Sequence, residues 1–403
     1  MKLINFIRRI FWVFSWVVVV VLKPVKIYAY RTRFSVVRRL ILVVTMHIDF
    51  MLIFLNVQNE TMELHWKIYG GNFLFGNGVM VTDFDSAAHA IAQPIYKNSD
   101  FMGVKIVSSD NGAFATNCPI LLQSPPIRKL TRQYIDEHIF TPTVQDLGLE
   151  AVREQGKGIL EDWSASPTMA KMLSIRSTVT RIFLKLLSGT TISQADSDFV
   201  TFQYIRRFVE FSLFSGYFPA MCIALGTGKF VQKDAYFKLR AYGIDNMTID
   251  MTLFAALFSI GTLVIRCVEN VTRYQVQYAA LTAEEKRNFV IESVRLYPTV
   301  TSVHRLVEAD ETVHVAGKPL HLNAGDEVVY PFICANQDPR HFPNPAELNL
   351  HRTEEEYEKV LSWSKGPHVC PAKKLSVVVT TVMLEALAGK FSLEELRIFN
   401  PAF

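Results

Sequence analysis

The sequence predicts a mainly α-helical fold with small β-sheets (α+β) behind an N-terminal membrane anchor. Three observations lead to this prediction: an uncharged apolar run near the N-terminus, helical periodicity with few Pro or Gly from about residue 128 to 300, and a return to strand and loop patterns in the last hundred residues. No repeat or low-complexity linker divides the body of the chain. We therefore expect membrane-anchoring segments over residues 1–60 and one mixed domain over residues 61–403.

Composition and charge narrow the class of protein. Of the 403 residues, 50% are hydrophobic and 20% are charged, which favours a large buried interior and apolar surface that meets membrane or lipid. The net charge of +4 is too small for the footprint of a nucleic-acid-binding protein. The five cysteines are scattered and form no CxxC pair, which argues against a disulfide framework or a zinc site and favours a reducing compartment.

The apolar run from Ile10 to Leu22 is the predicted anchor. As a helix it would be about 20 Å long, shorter than a hydrocarbon core of about 30 Å, so flanking residues would have to extend it. No small-residue cleavage site follows, which favours an anchor over a cleaved signal peptide. More Lys and Arg follow the run than precede it, so the positive-inside tendency places the N-terminus in the lumen and the body in the cytoplasm.

A second apolar run extends from Leu40 to Val57. It is long enough to cross a membrane, but it contains His47 and Asp49, which would be costly at mid-bilayer. A second span, a re-entrant segment and an interfacial helix all remain open. Two spans would put the body on the opposite side of the membrane.

The body begins with a predicted hairpin of strands, because aromatic and apolar residues alternate around glycines between Trp66 and Asp83. A helix should follow over residues 87–92, with Asp85 and Ser86 as its N-terminal cap. Towards the C-terminus the pattern predicts two strand segments and a final helix. They cover Val313 to Leu322, Gly325 to Tyr330, and Leu375 to Leu387.

The loop before that final helix contains the candidate metal ligand, Cys370. A ligating thiolate needs backbone N–H groups and a nearby helix N-terminus to stabilise its charge. Gly366 lies four residues earlier and permits the tight turn that such a loop requires. Taken alone, Cys370 would more often be an ordinary buried cysteine.

Three charged residues upstream form a candidate network. Glu292 and Arg295 are spaced i, i+3 and so share one helical face. Arg352 follows a Pro-rich segment and has the bidentate geometry to join them in a buried cluster. The alternative is a set of unrelated surface salt bridges.

In order and spacing these residues resemble the cytochrome P450 superfamily. That family carries an E-x-x-R pair, a P-x-x-F-x-x-x-R-like segment and an F-x-x-G-x-x-x-C-x-[GA] loop, and Leu and Trp replace its two Phe here. The resemblance covers roughly residues 66 to 395. The matching positions are Glu292/Arg295, Pro345/Leu348/Arg352 and Trp363/Gly366/Cys370/Ala372.

The resemblance implies a cytochrome P450-like, haem-thiolate catalytic domain that binds haem b through an axial Cys370 thiolate. It also implies a set of residues that hold the haem, several of them through its propionates. These are Arg128, Arg132, His304, Arg305, Gly366 and His368. Glu292, Arg295 and Arg352 would be the structural network of the family. The usual topology is a single-pass anchor in the endoplasmic reticulum with a cytoplasmic body.

The sequence departs from the family in the long helix over the haem. Members that activate O2 carry an adjacent acid and alcohol there, which relay protons to the distal oxygen. The nearest candidates here are Asp245 and Ser259, which we predict to be catalytic. The stretch around Ser259 looks like that of allene oxide synthases and hydroperoxide lyases, which lack the pair and rearrange fatty-acid hydroperoxides without O2 or NADPH. The likeness is partial, since those enzymes have Asn near this place and an insertion before the Cys.

The first reading of function is therefore a membrane-anchored oxidoreductase that oxidises a lipophilic small molecule, as a monooxygenase or with a peroxide. Monooxygenation would add an NADPH-dependent reductase as a partner. The alternative is an isomerase or lyase that rearranges lipid hydroperoxides with the same haem. A non-enzymatic haem- or lipid-binding protein is less favoured, because the Cys370 loop is intact.

Overall fold

The computed structural model describes residues 2–31, 41, 44–45, 48–49, 52, 58–75, 78–92, 125–169, 171–212, 233–307, 309–388 and 390. These residues are mostly helical with two small β-sheets, which confirms the predicted fold class. The run between residues 40 and 57 is described only at isolated positions, so its relation to the membrane stays a prediction.

The helices of the described part are numbered here in chain order, and one of them continues through a π-helical segment. The α-helices are α1 (Lys2–Arg31), α2 (Gln58–Tyr69), α3 (Phe84–Ala92), α4 (Pro125–His138), α5 (Pro142–Gln145), α6 (Leu149–Ala165), α7 (Met172–Ser188), α8 (Gln194–Ser212), α9 (Lys233–Arg240), α10 (Asn246–Asp250), α11 (Gly261–Arg273), α12 (Ala283–Leu296), α13 (Phe332–Ala335), α14 (Glu354–Glu358) and α15 (Lys373–Ala388). The π-helical segment is Met251–Ile260, and it connects α10 directly to α11. Short 3-10 turns cover Tyr278–Ala280, Leu361–Trp363 and Gly366–His368.

The larger sheet has the strand order β1-β2-β6-β3 and the smaller pairs β4 with β5. The strands are β1 (Phe73–Phe75), β2 (Gly78–Met80), β3 (Ser302–Leu306), β4 (Glu311–Val315), β5 (Lys318–Leu322) and β6 (Glu327–Pro331). The β1–β2 hairpin is antiparallel, whereas β2 runs parallel to β6 with Val79 opposite Val328. This parallel pair joins the N-terminal hairpin to the C-terminal strands, and β3, which the sequence did not predict, completes the sheet on β6.

Helix α1 is longer than the predicted apolar run. Its most apolar stretch, Ile10–Ala29, is long enough to cross a membrane, and only 17% of it is buried. Phe11, Trp12 and Trp16 are exposed on its surface. The stretch Asn246–Arg273 passes the same length and composition test but is 75% buried, as a core helix would be.

The hairpin begins later than predicted. Trp66 to Tyr69 continue helix α2, and the first strand starts only at Phe73. Gly70 ends the helix, since its N–H donates to the Trp66 carbonyl at 2.9 Å and its φ is +72°. A positive φ at this position is a common helix C-terminal signal.

The following helix begins earlier than predicted, at Phe84. Asp85 and Ser86 were expected to cap it, but the capping carboxylate belongs to Asp83, whose Oδ2 accepts the Ser86 N–H at 2.7 Å. Helix α15 likewise starts two residues before Leu375. Such shifts of helix ends follow from which polar side chain reaches the free N–H groups.

Two helices at the centre of the body are buried on nearly all sides. Helix α12 buries every residue from Asn288 to Leu296, and helix α7 every residue from Ser174 to Leu184. Both stretches contain charged residues, including Arg176 and Arg181 in α7. A charge in such a position requires specific partners, because desolvation is costly.

Ionic contacts attach the C-terminal end of α1 to the body. The Lys26 ammonium donates to the Asp49 carboxylate, and His65 of α2 lies 3.4 Å from the same carboxylate. All three side chains are almost fully buried. Lys23 also donates to the Ile68 carbonyl at 3.0 Å. The apolar helix therefore packs against the body at this end.

Candidate functional site

The Cys370 loop connects the 3-10 turn Leu361–Trp363 to helix α15, and it contains the second 3-10 turn, Gly366–His368. Its closing hydrogen bond runs from the Cys370 N–H to the Trp363 carbonyl at 2.8 Å. The Trp363 indole donates to Ser376 of α15 at 3.1 Å, which fixes the loop on the helix. Ser364 has a φ of +63°, so the turn also needs left-handed backbone outside glycine.

Gly366 has the positive φ of a tight turn and also lies close to helix α3. Its φ is +57°, and an added Cβ would lie 3.1 Å from the carbonyl oxygen and 3.2 Å from the Cα of Ala92. Ala92 is the last residue of α3. The loop can contact the end of this helix only because residue 366 has no side chain.

Cys370 differs from the other described cysteines in exposure. It is half-buried, whereas Cys267 and Cys334 are fully buried. Burial raises the pKa of Cys267 to about 12 and that of Cys334 well above its usual range. Cys118 and Cys222 lie outside the described residues. Among the described cysteines, Cys370 is therefore the least buried.

Two groups favour the thiolate of Cys370. Burial raises the pKa of its thiol, while a hydrogen bond from the Ala372 N–H and the positive charge of Arg132 act in the opposite direction. Arg132 of α4 also donates to the Val369 carbonyl in the same loop and to Asp136 at 2.7 Å. A backbone donor and a fixed guanidinium are what a ligating thiolate requires.

The predicted network of Glu292, Arg295 and Arg352 is brought together in the interior. Arg295 binds Glu292 with two hydrogen bonds of 2.6 and 2.9 Å, and Arg352 donates to the same carboxylate at 3.0 Å. The side chains of all three are 1% exposed or less. The alternative of separate surface salt bridges is wrong, because one carboxylate serves both guanidinium groups.

The two arginines of this network also bind the backbone of the Pro-rich loop before α14. Arg295 donates to the carbonyls of Asn336, Pro345 and Glu347 at 2.7 to 3.0 Å. Arg352 donates to the Pro343 carbonyl at 2.8 Å. The network therefore fixes a loop that has no regular structure of its own, and Asn336 of that loop accepts the Leu361 N–H at 2.9 Å.

The other predicted haem contacts are only partly described. Arg128 lies on α4 and His304 on β3, but their side chains are outside the described part. Arg305 of β3 is buried opposite Val328, and His368 is half-buried in the 3-10 turn beside Gly366. Their roles towards a haem stay predictions.

The two predicted catalytic residues occupy different environments. Asp245 is exposed, and its carboxylate caps α10 by accepting the N–H groups of Met247 and Thr248, both at 3.0 Å. This capping contact gives Asp245 a structural task, which the sequence interpretation had not included. Ser259 is half-buried in the π-helical segment.

The sequence interpretation missed a buried arginine that binds this segment. Arg176 of α7 donates to the carbonyls of Leu257 and Phe258, both at 3.0 Å, and to the Thr262 hydroxyl at 2.9 Å. In the sequence Arg176 stands among Ser174, Ile175, Ser177 and Thr178, and this pattern identified neither its burial nor its partners.

The donor set fits a haem bound through one axial thiolate. Cys370 would provide the iron ligand, and Arg132 lies beside the ligand loop, where a positive charge also suits the propionates. The accessible thiol, its N–H donor and the glycine turn occur together in no other described part of the chain.

Comparison with known proteins finds similarity to one family in the C-terminal part of the chain. Residues 287–399 match the family model described as cytochrome P450. Over 103 residues the chain is 31% identical to a bifunctional dioxygenase (DOX)-epoxy alcohol synthase (EAS) of Fusarium oxysporum, which is 25% of this chain and 8% of that protein. Over 109 residues it is 33% identical to linoleate 10R-lipoxygenase of Aspergillus fumigatus, covering 26% and 9% of the two chains. The chain thus spans less than a tenth of the length of these relatives.

Solved structures support the same fold. The crystal structure of the hydroxylase HmtN superposes with a TM-score of 0.55 and 21% identity, over 78% of this chain and 83% of that one. At this identity the likeness concerns the fold and carries no statement about the reaction. The described body therefore has the cytochrome P450 fold.

Proposed function

We propose that this chain is a membrane-anchored haem-thiolate enzyme of the cytochrome P450 superfamily that rearranges a lipid hydroperoxide. The environment of Thr262 and Asp245 is the observation that carries the choice of reaction. A bound haem would supply an electron-rich iron that cleaves an O–O bond. The chain's own residues decide whether O2 can be protonated at the site, as its reduction to the peroxide level requires.

Dioxygen activation needs an acid and an alcohol that deliver protons to the distal oxygen. Between residues 246 and 273 no acidic residue stands next to a Thr or Ser. The Thr262 hydroxyl donates to the Phe258 carbonyl at 2.6 Å and accepts from Arg176. The Asp245 carboxylate is occupied by the N–H groups of α10. These contacts favour a substrate that already contains the O–O bond.

Rearrangement of an unsaturated hydroperoxide needs no external electrons. When the O–O bond breaks and both oxygens remain on the carbon chain, as an epoxide and an alcohol, the product is an isomer of the substrate. One matched relative is named a dioxygenase joined to an epoxy alcohol synthase, and another a linoleate lipoxygenase. These names support an unsaturated fatty-acid hydroperoxide as the substrate class.

The N-terminal helix supports a membrane location. Its apolar stretch is long enough to span a bilayer, and its exposed aromatic residues suit the interface. We propose a single-pass anchor at the endoplasmic reticulum, with the body in the cytoplasm as the flanking charges indicate. A lipid hydroperoxide would then reach the enzyme from the membrane.

The test is turnover by the full-length holoprotein in lipid vesicles. A fatty-acid hydroperoxide is added without NADPH under argon, and the molecular masses of the products are measured by mass spectrometry. Products with the mass of the substrate support rearrangement. Oxidation of an unoxygenated fatty acid that requires NADPH, a reductase and O2 would instead select monooxygenation. No turnover in either assay with haem bound would overturn the enzymatic proposal.

A further inference from the structure

Arg176 of α7 makes an unusual contact with the helix that contains Ser259. Its side chain is buried, and its partners are two backbone carbonyls and one hydroxyl, none of which carries a negative charge. The guanidinium also lies 5.6 Å from the centre of the Phe258 ring. Burial lowers the pKa of Arg176 to about 10, so the group keeps its charge at neutral pH.

The backbone explains why a donor is needed here. In a π-helix the hydrogen bonds reach back five residues, and the change to an α-helix leaves a carbonyl without its usual partner. The Gly261 N–H donates to the carbonyl of Ala256, five residues back, and also to that of Phe258. An α-helical bond would have used the Leu257 carbonyl instead. Arg176 supplies a donor to this carbonyl.

Gly261 provides the space for the guanidinium. A Cβ built on Gly261 would lie 2.8 Å from Cγ and 3.4 Å from an Nη of Arg176. The φ of Gly261 is an ordinary helical −57°, so the glycine is not needed for backbone conformation. The absence of a side chain serves the approach of Arg176.

We propose that Arg176 is a positioning residue that holds the π-helical segment Met251–Ile260 open and thereby sets the place of Ser259 in the active site. The role rests on the proposed function, because Ser259 is the predicted residue of the reaction. A wider helical turn displaces the side chains on either side of it, and π-helical turns are frequent at functional sites. Arg176 acts through the helix and does not itself touch the substrate.

The first test concerns the segment and needs no substrate. In Arg176→Ala we expect amide hydrogen exchange of residues 257–262 to be at least about tenfold faster, because hydrogen bonds from a charged group are lost. Arg181→Ala is the matched control. Arg181 is also buried in α7, but it binds Asp162, Gln194 and the Ile192 carbonyl. Equal exchange in the two variants would overturn the proposal.

A second variant keeps the test independent of a folding failure. Gly261→Ala should lower Tm in the wild-type background, because its methyl group meets Arg176. The same change should be harmless or stabilising in Arg176→Ala, where the space is free. Additive effects of the two changes would mean that Gly261 and Arg176 do not act together.

The third measurement separates positioning from simple stabilisation. With the hydroperoxide substrate, Arg176→Ala should lower kcat by about 100-fold while KM changes little, since small displacements at a reacting centre are costly. Arg176→Lys should recover part of the loss, and Arg181→Ala should leave kcat near that of the wild type. An unchanged kcat in Arg176→Ala overturns the proposal. Absence of turnover in the wild-type enzyme would contradict the proposed function, while exchange and Tm would still test the segment.

Discussion

At the scale of single residues, the site depends on one accessible thiol and one glycine. Cys370 shares its element type, a loop before an apolar helix, with many structural cysteines, but its half-buried position and its two favourable neighbours set it apart. Gly366 determines whether the loop can reach helix α3. The local environment of each residue therefore leads to a specific prediction for its substitution.

We predict that Cys370→Ala abolishes the thiolate-type Soret band of the reduced, CO-bound protein. The physical reason is the loss of the anionic sulfur that the iron requires. Cys267→Ala is the control, because Cys267 is fully buried in α11. That variant should lose about 1 kcal/mol of stability and retain the band. A normal band in Cys370→Ala would remove this residue as the ligand.

We predict that Gly366→Ala destabilises the loop and weakens haem retention. A left-handed backbone at a residue with a side chain costs about 1–2 kcal/mol, and the methyl group would press on Ala92. Thermal unfolding and gel filtration of the holoprotein measure both effects. Gly158→Ala in α6 has open space and should stabilise by about 0.5–1 kcal/mol. Equal Tm shifts in the two variants would contradict the close approach.

At the scale of elements, charged side chains connect segments that are far apart in sequence. The Glu292 network links α12 to the loop before α14. In the loop after α13, Arg340 binds Asp338 and also Asp83, which precedes α3. In the first case the charges are buried, whereas Arg340 is 57% exposed. The two clusters should therefore differ in their energetic weight.

Glu292→Gln should destabilise the protein strongly. The change leaves two buried guanidinium groups without their carboxylate, and breaking such an arrangement costs about 3–5 kcal/mol. Chemical denaturation measures this loss. The control is Arg287→Ala on the same helix, because the Arg287–Glu354 pair is exposed and worth about 0–1 kcal/mol. A cost for Glu292→Gln no larger than that of the control would rule out a structural network.

Acid stability should depend on Arg340. Its guanidinium hydrogen bond lowers the pKa of Asp338. The stabilisation is therefore fully present above the ordinary carboxyl pKa and is lost as the pH falls through the lowered value in the folded state. Arg340→Ala should flatten the dependence of the unfolding free energy on pH in that acidic range. Lys374→Ala, which removes an exposed pair with Asp146, should leave the slope unchanged.

At the scale of the whole molecule, the N-terminal helix and the body are not separate parts. The Lys26 ammonium donates to the Asp49 carboxylate and to the Leu74 carbonyl. His65 lies beside the other oxygen of the same carboxylate. These contacts hold the base of α1 against α2 and the hairpin. These contacts fix the direction of the apolar helix relative to the body. A membrane that the helix enters would therefore lie at a fixed orientation to the Cys370 loop.

Lys26→Met should loosen this attachment. The change removes the ammonium that the buried Asp49 carboxylate binds, and removing one partner of a buried ion pair costs about 3–5 kcal/mol. Thermal unfolding in detergent micelles measures the loss, and limited proteolysis reports whether α1 becomes separable. Val21→Ala is the control, because Val21 is 60% exposed. Identical Tm values for Lys26→Met and the wild type would mean that α1 is not attached through this pair.

Much of the architecture followed from local patterns. The helical centre and the last helix agree with the periodicity of the sequence, because hydrophobic spacing reflects which face of an element is buried. The C-terminal strands agree in part: β3 was not predicted, and the segment from Val313 to Leu322 is divided between β4 and β5. The predictions failed at element ends. Trp66 to Tyr69 are helical and not part of the hairpin, and the capping residue is Asp83 and not Asp85 or Ser86. The ends of elements are hard to predict because they depend on a few competing hydrogen bonds.

The order and spacing of Glu292, Arg295, Arg352, Gly366 and Cys370 could be recognised in the sequence, because each position requires one residue type. Which of these groups share a partner became clear from the fold. It assigned one carboxylate to two arginines, gave Asp245 to a helix cap, and placed Arg176 in the gap at Gly261. The physical reason is that a hydrogen bond between elements distant in sequence leaves no periodic trace in either of them.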